Sequence, residues 1–285
     1  MTLAIFDKFI RRVNRDRRCV IVHDHLFKNA GTTIDWVLKK NFGSTFVDHR
    51  DDVSMKKGAE YLGPYIVKNR KIVAISSHHI VLPLPSLPGV NIELLKMFRH
   101  PLARVLSVYS FEKRQKEQTL GAKVAQSSSF REYLAWRLSK DSPGVIRNFH
   151  VRRLLPGLMR NKEISDQEFN MAIETLEGMK YFGLVEEFDD SMILFETRLR
   201  EYFPDLDFAY KAQNVGRGLP KEIDEDVSRL RAMAGEELYA RLVEANRFDL
   251  ELYRLARDRF SCFLNGLFEL DKKRADFRRR CLALV

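Results

Sequence analysis

Lys28-Asn29-Ala30-Gly31-Thr32-Thr33 puts one ammonium, one glycine and two adjacent hydroxyls within six positions. The segment follows the apolar run Cys19-Val20-Ile21-Val22 and precedes Ile34, Val37, Leu38 and Phe42 at helical spacing, which predicts strand, loop, helix. In that setting the loop's N–H groups and the Thr32 and Thr33 hydroxyls converge on an anion at the positive end of the helix dipole. Gly31 lets the backbone come close. A nucleotide triphosphatase loop places its lysine after the glycines, whereas Lys28 precedes Gly31, so that order is absent. Taken alone, the stretch fits a capped helix start beside an unrelated lysine equally well. Arg99 stands just past a third apolar run, Leu94 to Phe98, and Ser107 two turns into the helix that Pro101 opens, on its polar flank with Arg104. A guanidinium fork and a hydroxyl so placed hold a second phosphate, and two anion sites on one sheet edge fit a doubly phosphorylated nucleotide. His78-His79 ends the second apolar run, Lys71 to Ile75, where an imidazole with a pKa near 6.5 is suited to act as a base. A histidine satisfied by a backbone carbonyl is the competing reading.

The elements that carry these residues alternate strand and helix. Ser165-Asp166-Gln167-Glu168 reads as a capping box ahead of a helix to about Met179, followed by a strand at Tyr181 to Val185 and a helix from about Asp189. This predicts an α/β fold, a parallel sheet covered on both faces, with ligands at the carboxyl ends of its strands. From about Glu222 the pattern is wholly helical. The expected organisation is one domain over residues 1–285, with a core at about 19–257 and a basic helical tail at 258–285 read as a solvated helix end. A chain of 285 residues with 45% apolar and 31% charged side chains can bury a large core. Its net charge of +10 predicts anionic company. Three cysteines, Cys19, Cys262 and Cys281, lack the spacing of metal ligands or a disulfide framework and read as reduced thiols. With neither a signal-peptide pattern nor a long apolar run, the expected location is cytoplasmic, with no membrane span and no metal.

At this point the residues resemble a known family. His25-Leu26-Phe27-Lys28-Asn29-Ala30-Gly31-Thr32-Thr33 is similar to the 5′-phosphosulfate-binding loop H-x-P-K-x-x-G-T-[ST] of the Golgi-type carbohydrate sulfotransferases. Arg99-His100-Pro101 through Arg104 and Ser107 to Tyr109 resembles their 3′-phosphate segment R-[DH]-P-x-x-R-x-x-S-x-[YF]. Weaker echoes follow at 148–157, 182–189 and 246–253, so the likeness spans about residues 20–257. Phe27 departs from the family's proline and Asn29 from a frequent threonine; neither change removes a charge, a backbone donor or the glycine.

The resemblance implies a P-loop-like fold and transfer of a sulfuryl group from 3′-phosphoadenosine 5′-phosphosulfate to a carbohydrate or other hydroxyl acceptor. Lys28 would then meet the bridging oxygen of the donor, with Asn29, Ala30, Gly31, Thr32 and Thr33 around the 5′-phosphate and Arg99 and Ser107 on the 3′-phosphate. Asn214 and Arg217 would close over the nucleotide. Ser77-His78-His79-Ile80 resembles the H-G-H-[VI] segment of the uronyl 2-O-sulfotransferases, which makes His79 the base and His78 a lining residue; His25, His23 and Asp24 are the reserves. Arg152 and Arg153 face an acidic acceptor or solvent, and Glu186 and Glu187 orient basic neighbours. Two rivals stand beside this reading: a nucleotide kinase, disfavoured by the lysine order, and a non-catalytic binder of nucleotides or polyanions.

Overall fold

The computed structural model describes residues 17–159, 163–211 and 223–284. Five parallel strands form one sheet in the order β2-β3-β1-β4-β5, with β1 at Arg18–Asp24, β2 at Phe46–Asp48, β3 at Ala74–Ser77, β4 at Val90–Phe98 and β5 at Gly183–Leu184. The central strand β1 is buried from Cys19 to Asp24, as parallel strands covered on both faces must be. Val20 and Val22 pack with Leu62, Ile66 and Ile75 on one face, and Ile21 joins Ile34, Val37, Leu95 and Phe98 on the other. The fold class is therefore α/β, as the alternating pattern predicts.

The helices follow the chain. α1 spans Gly31–Phe42, α2 Asp52–Met55 and α3 Ala59–Lys68; after β4 come α4 at Pro101–Arg114, α5 at Leu120–Ser127, α6 at Phe130–Arg137, α7 at Phe149–Leu154 and α8 at Asp166–Gly178. After β5, α9 spans Phe188–Leu199, and the C-terminal part is helical: α10 at Ile223–Ala234, α11 at Glu236–Ala245, α12 at Arg247–Asn265 and α13 at Leu270–Leu282. The capping box at Ser165 and Glu168 starts α8. Pro101 occupies the first turn of α4, where its missing N–H costs nothing.

Two expectations change. The segment at 181–185 supplies only a two-residue strand, because Leu184 is the last position that pairs with β4. The C-terminal tail is no solvated helix end. α12 runs through the expected boundary at 257, and α13 buries Phe277 completely. Arg274 of α13 forks onto Asp190 at 2.7 and 2.8 Å, and Arg280 reaches Glu196 at 2.9 and 3.0 Å, so part of the tail's basic appearance is charge pairing with α9.

Chain reversal about β1 decides where a ligand can sit. The connection after β1 leads to β2 on one side of it, and β4 returns on the other side, so the loops after β1 and β4 diverge from a crevice at the carboxyl edge. That crevice is the topological switch point of the sheet.

Candidate functional site

The loop after β1 holds two non-glycine residues in the left-handed region, Lys28 at φ 63° and Ala30 at φ 60°. Such residues cost of order 1–3 kcal/mol each and persist only where neighbours fix them. Three side chains do so. The Asn29 amide donates to the Met97 carbonyl at 2.7 Å and lies 2.9 Å from His150 Nε2. Arg99 Nη1 donates to the Lys28 carbonyl at 3.0 Å. His25 packs its ring on Gly31, where a Cβ would come within 2.1 Å of the imidazole. Gly31 is thus required by His25 behind it, rather than by the approach of a ligand in front.

The result is a concave turn of backbone donors at the start of α1. Among the described residues, the N–H groups of Lys28, Ala30, Gly31 and Thr32 donate to no carbonyl, and the exposed Thr32 and buried Thr33 hydroxyls have no partner. Such a nest ahead of a helix N-terminus favours an anion. The side chain of Asn29 is turned into the core, so its share in the loop is structural.

Cations surround this nest. Lys28 Nζ sits 4.8 Å above the Phe111 ring, and burial, with Arg99 and Arg114 close by, holds its pKa below the ordinary lysine value. Arg99 is itself largely buried; among the described residues its Nε has no partner, and burial lowers its pKa against the opposing pull of Glu186. Ser107 makes no hydrogen bond among the described residues and shares one flank of α4 with Phe111 and Arg114, at four- and seven-residue spacing. Like-charged, desolvated groups beside free amide donors are unstable company for one another unless an anion joins them. The structure therefore brings Lys28, Gly31, Thr32 and Arg99 to one crevice and leaves Ser107 free on the adjoining helix.

Arg104 corrects the sequence reading. It lies fully buried, donates to the Val145 carbonyl at 2.9 and 2.6 Å and stacks on Phe149 at 3.7 Å, so it faces away from the crevice. Burial brings its pKa down to about 9. Asn214 and Arg217 lie outside the described residues.

All seven histidines of the chain gather at the carboxyl edge of the sheet or directly beneath the loop: His23 and His25 in and after β1, His49 after β2, His78 and His79 after β3, His100 after β4 and His150 in α7. His79 Nε2 is 3.0 Å from Asp52 of α2 and about a quarter exposed. Burial lowers its pKa more than Asp52 raises it. His78 donates through Nδ1 to the His25 carbonyl at 2.7 Å, with its ring 4.2 Å from that of His25. His23 and His25 share one carboxylate, Asp35, at 2.8 and 2.7 Å. Asp24 is fully buried between Lys96 and Arg153 and so is removed from the reserve bases. Arg153 also donates to the His78 carbonyl at 2.6 Å, which ties it into the sheet edge rather than leaving it for an acceptor.

The fainter echoes become a clasp under the loop. Asp249 of α12 accepts the N–H groups of His150 and Val151 at 2.9 and 2.8 Å and sits 3.3 Å from His150 Nδ1, while across the same joint the Asn148 N–H donates to Asn246 Oδ1 and Asn148 Oδ1 accepts from the Asp249 N–H. Glu186 accepts from the His100 N–H at 2.9 Å and from Tyr253 at 2.7 Å, which fixes the turn that carries Arg99. Burial raises the Glu186 pKa, in keeping with a structural part. Sequence reasoning misses Asp35, Asp52, Phe111 and Arg114. Only Asp35 had a signal: it stands one turn into the helix that follows two histidines at strand spacing.

Fold and site together define an α/β protein with an anion nest at the switch point of a parallel sheet. No family model matches the chain. An uncharacterized protein of Archaeoglobus fulgidus is 30% identical to it over 249 residues, which cover 85% of this chain and 98% of the archaeal one. The chain belongs to one family with that archaeal protein. Among the described residues no helix is long and apolar enough to cross a membrane.

Proposed function

We propose that the protein is a sulfotransferase that binds 3′-phosphoadenosine 5′-phosphosulfate in the crevice between β1 and β4 and passes its sulfuryl group to a hydroxyl acceptor, a carbohydrate by the family resemblance. The observation that carries this reading is the hydrogen bond from Arg99 to the Lys28 carbonyl, which sets the two motif-bearing loops side by side. One set of donors then meets the 5′-phosphate and another, on the same crevice, the 3′-phosphate.

In-line sulfuryl transfer moves negative charge onto the leaving phosphate, so a placed cation supplies stabilisation where charge develops. Lys28 is suited to be that cation, because it stands in the loop itself with its ammonium over the Phe111 ring, and the Arg99 hydrogen bond to its carbonyl fixes the backbone that carries it. The acceptor proton goes to an imidazole on the β3 side. His79 is our choice, since its Nε2 is held by Asp52 and its Nδ1 has no hydrogen-bond partner among the described residues.

The test is calorimetric titration with 3′-phosphoadenosine 5′-phosphate and with AMP. Two charge-assisted bonds contribute roughly 3–6 kcal/mol before solvation losses, so the doubly phosphorylated nucleotide should bind at least a hundredfold more tightly. Arg99→Lys, which loses the fork, should erase most of that margin. Equal affinity for the two nucleotides in the wild type would remove the 3′-phosphate site and with it this reading.

A further inference from the structure

The carboxylate of Asp35 lies in the second turn of α1, the helix whose N-terminus forms the nest. It is 15% exposed and accepts from His23 Nδ1 at Oδ1 and from His25 Nδ1 at Oδ2. Burial would raise its pKa, but the two hydrogen bonds from the imidazoles hold it well below the usual carboxylate range. A permanent negative charge therefore stands directly behind a site built for a second one. Among the described residues Lys28 and Arg99 make no contact with Asp35, and the half-exposed Arg50, 3.8 Å away, offsets only part of its charge.

The group that stands between this carboxylate and the loop is His25. Its ring lies between Asp35 and Gly31, against the first residue of the helix, with Nδ1–H committed to the carboxylate and, among the described residues, no partner at Nε2. The charged and titratable groups around it are Asp35 from α1, His23 from β1, His78 from the turn after β3, and Arg50 beyond β2, 3.8 Å from Asp35. In the free protein burial lowers the His25 pKa, with His23 and Arg50 adding to the effect and Asp35 opposing it, so the ring is neutral at pH 7. A neutral ring turns a lone pair toward the loop, and an arriving phosphate raises the cost of leaving it unprotonated.

We propose that His25 takes up a proton at Nε2 when a phosphate-bearing anion binds the Lys28–Thr33 loop, so that the imidazolium, held on Asp35, becomes part of the anion site. The proton comes from solvent and Nδ1–H stays with the carboxylate. The proposal rests on the loop being the anion site, and it holds whichever acceptor the enzyme uses. His23 is the weaker candidate, since it is 1% exposed and lies farther down β1, with its Nδ1 also 3.0 Å from Ser76.

The experiment is titration calorimetry of the whole chain with 3′-phosphoadenosine 5′-phosphate and, separately, inorganic pyrophosphate, each in two buffers of different ionisation enthalpy. The wild type should take up about half to one proton per anion at pH 7, and its affinity should fall by up to about tenfold per pH unit above that. A bound phosphate giving up its own second proton, with a pKa near 6, would produce release instead. His25→Gln should take up almost none. Asp35→Asn should bind either anion more tightly than the wild type at pH 8 and show a flatter pH dependence, whereas a merely structural Asp35 would give weaker binding at every pH. Binding without proton uptake in the wild type, or uptake unchanged in His25→Gln, overturns the proposal alone. Failure of both anions to bind overturns the reading of the loop and the proposal with it.

Discussion

Asn29 Nδ2 lies 2.9 Å from His150 Nε2, which joins the middle of the anion loop to α7 and, through Asp249, to α12. His150 is fully buried and burial lowers its pKa, so at neutral pH Nε2 is the acceptor and Nδ1–H faces Asp249. The bond matters because Asn29 stands between two left-handed residues that would relax without it. Asn29→Ala removes this bond and the one to Met97, and should lower stability by about 1–3 kcal/mol in denaturant unfolding. Nucleotide affinity should fall about tenfold as well. A variant that loses stability yet binds as before would show that the amide supports the fold and leaves the loop alone.

Gly31 and His25 should behave as one unit. Gly31→Ala would drive a methyl into the imidazole, and overpacking of this kind costs typically about 1–3 kcal/mol. In His25→Ala the space is open, so adding Gly31→Ala should cost much less there, with a coupling of about 0.5 kcal/mol or more in a double-mutant cycle. Additive losses would mean that the ring and the loop are not in contact.

The C-terminal helix is part of the core. Phe277 is completely buried against Tyr210 and its neighbours on α9, so Phe277→Ala should cost about 3–5 kcal/mol in thermal or denaturant unfolding. A change below about 1 kcal/mol would return α13 to the status of an appendage.

How far the sequence can be read follows from the range of the interactions. β1 and β4 are legible because continuous apolar runs mark buried parallel strands, and the loop is legible because lysine, glycine and hydroxyls sit within six positions. β2 is a three-residue, partly exposed edge strand and carries no such mark. Arg104 misleads because an arginine on a helix flank reads as solvated; its burial comes from the Val145 carbonyl and Phe149, contributed by a later part of the chain. The tail misleads in the same way, since its partners Asp190 and Glu196 lie about 84 positions earlier. The Asn148–Asn246 and His150–Asp249 joint, about 98 positions apart, shows in the sequence only as faint echoes of a family pattern. Asp35 is the local exception. Its role needs only the geometry of one strand, one turn and the start of one helix.

His79 gives the pH test of the base. Burial outweighs Asp52 and keeps its pKa below the ordinary value of about 6.5, so the ring is neutral, and able to accept a proton, throughout the neutral range. Turnover at saturating donor, which leaves donor binding out of the measurement, should be flat near pH 7 and fall only as pH drops through that lowered value. Asp52→Asn removes the charge that raises the pKa, so the falling limb should move to still lower pH. His79→Ala should lose about 10² to 10⁴ in rate and lose the limb, while binding of 3′-phosphoadenosine 5′-phosphate persists. A larger loss in His78→Ala would transfer the base to His78, whose Nδ1–H is fixed on the His25 carbonyl and whose Nε2 is then the acceptor. A limb that stays in place in Asp52→Asn would show that the carboxylate does not act on the reacting imidazole.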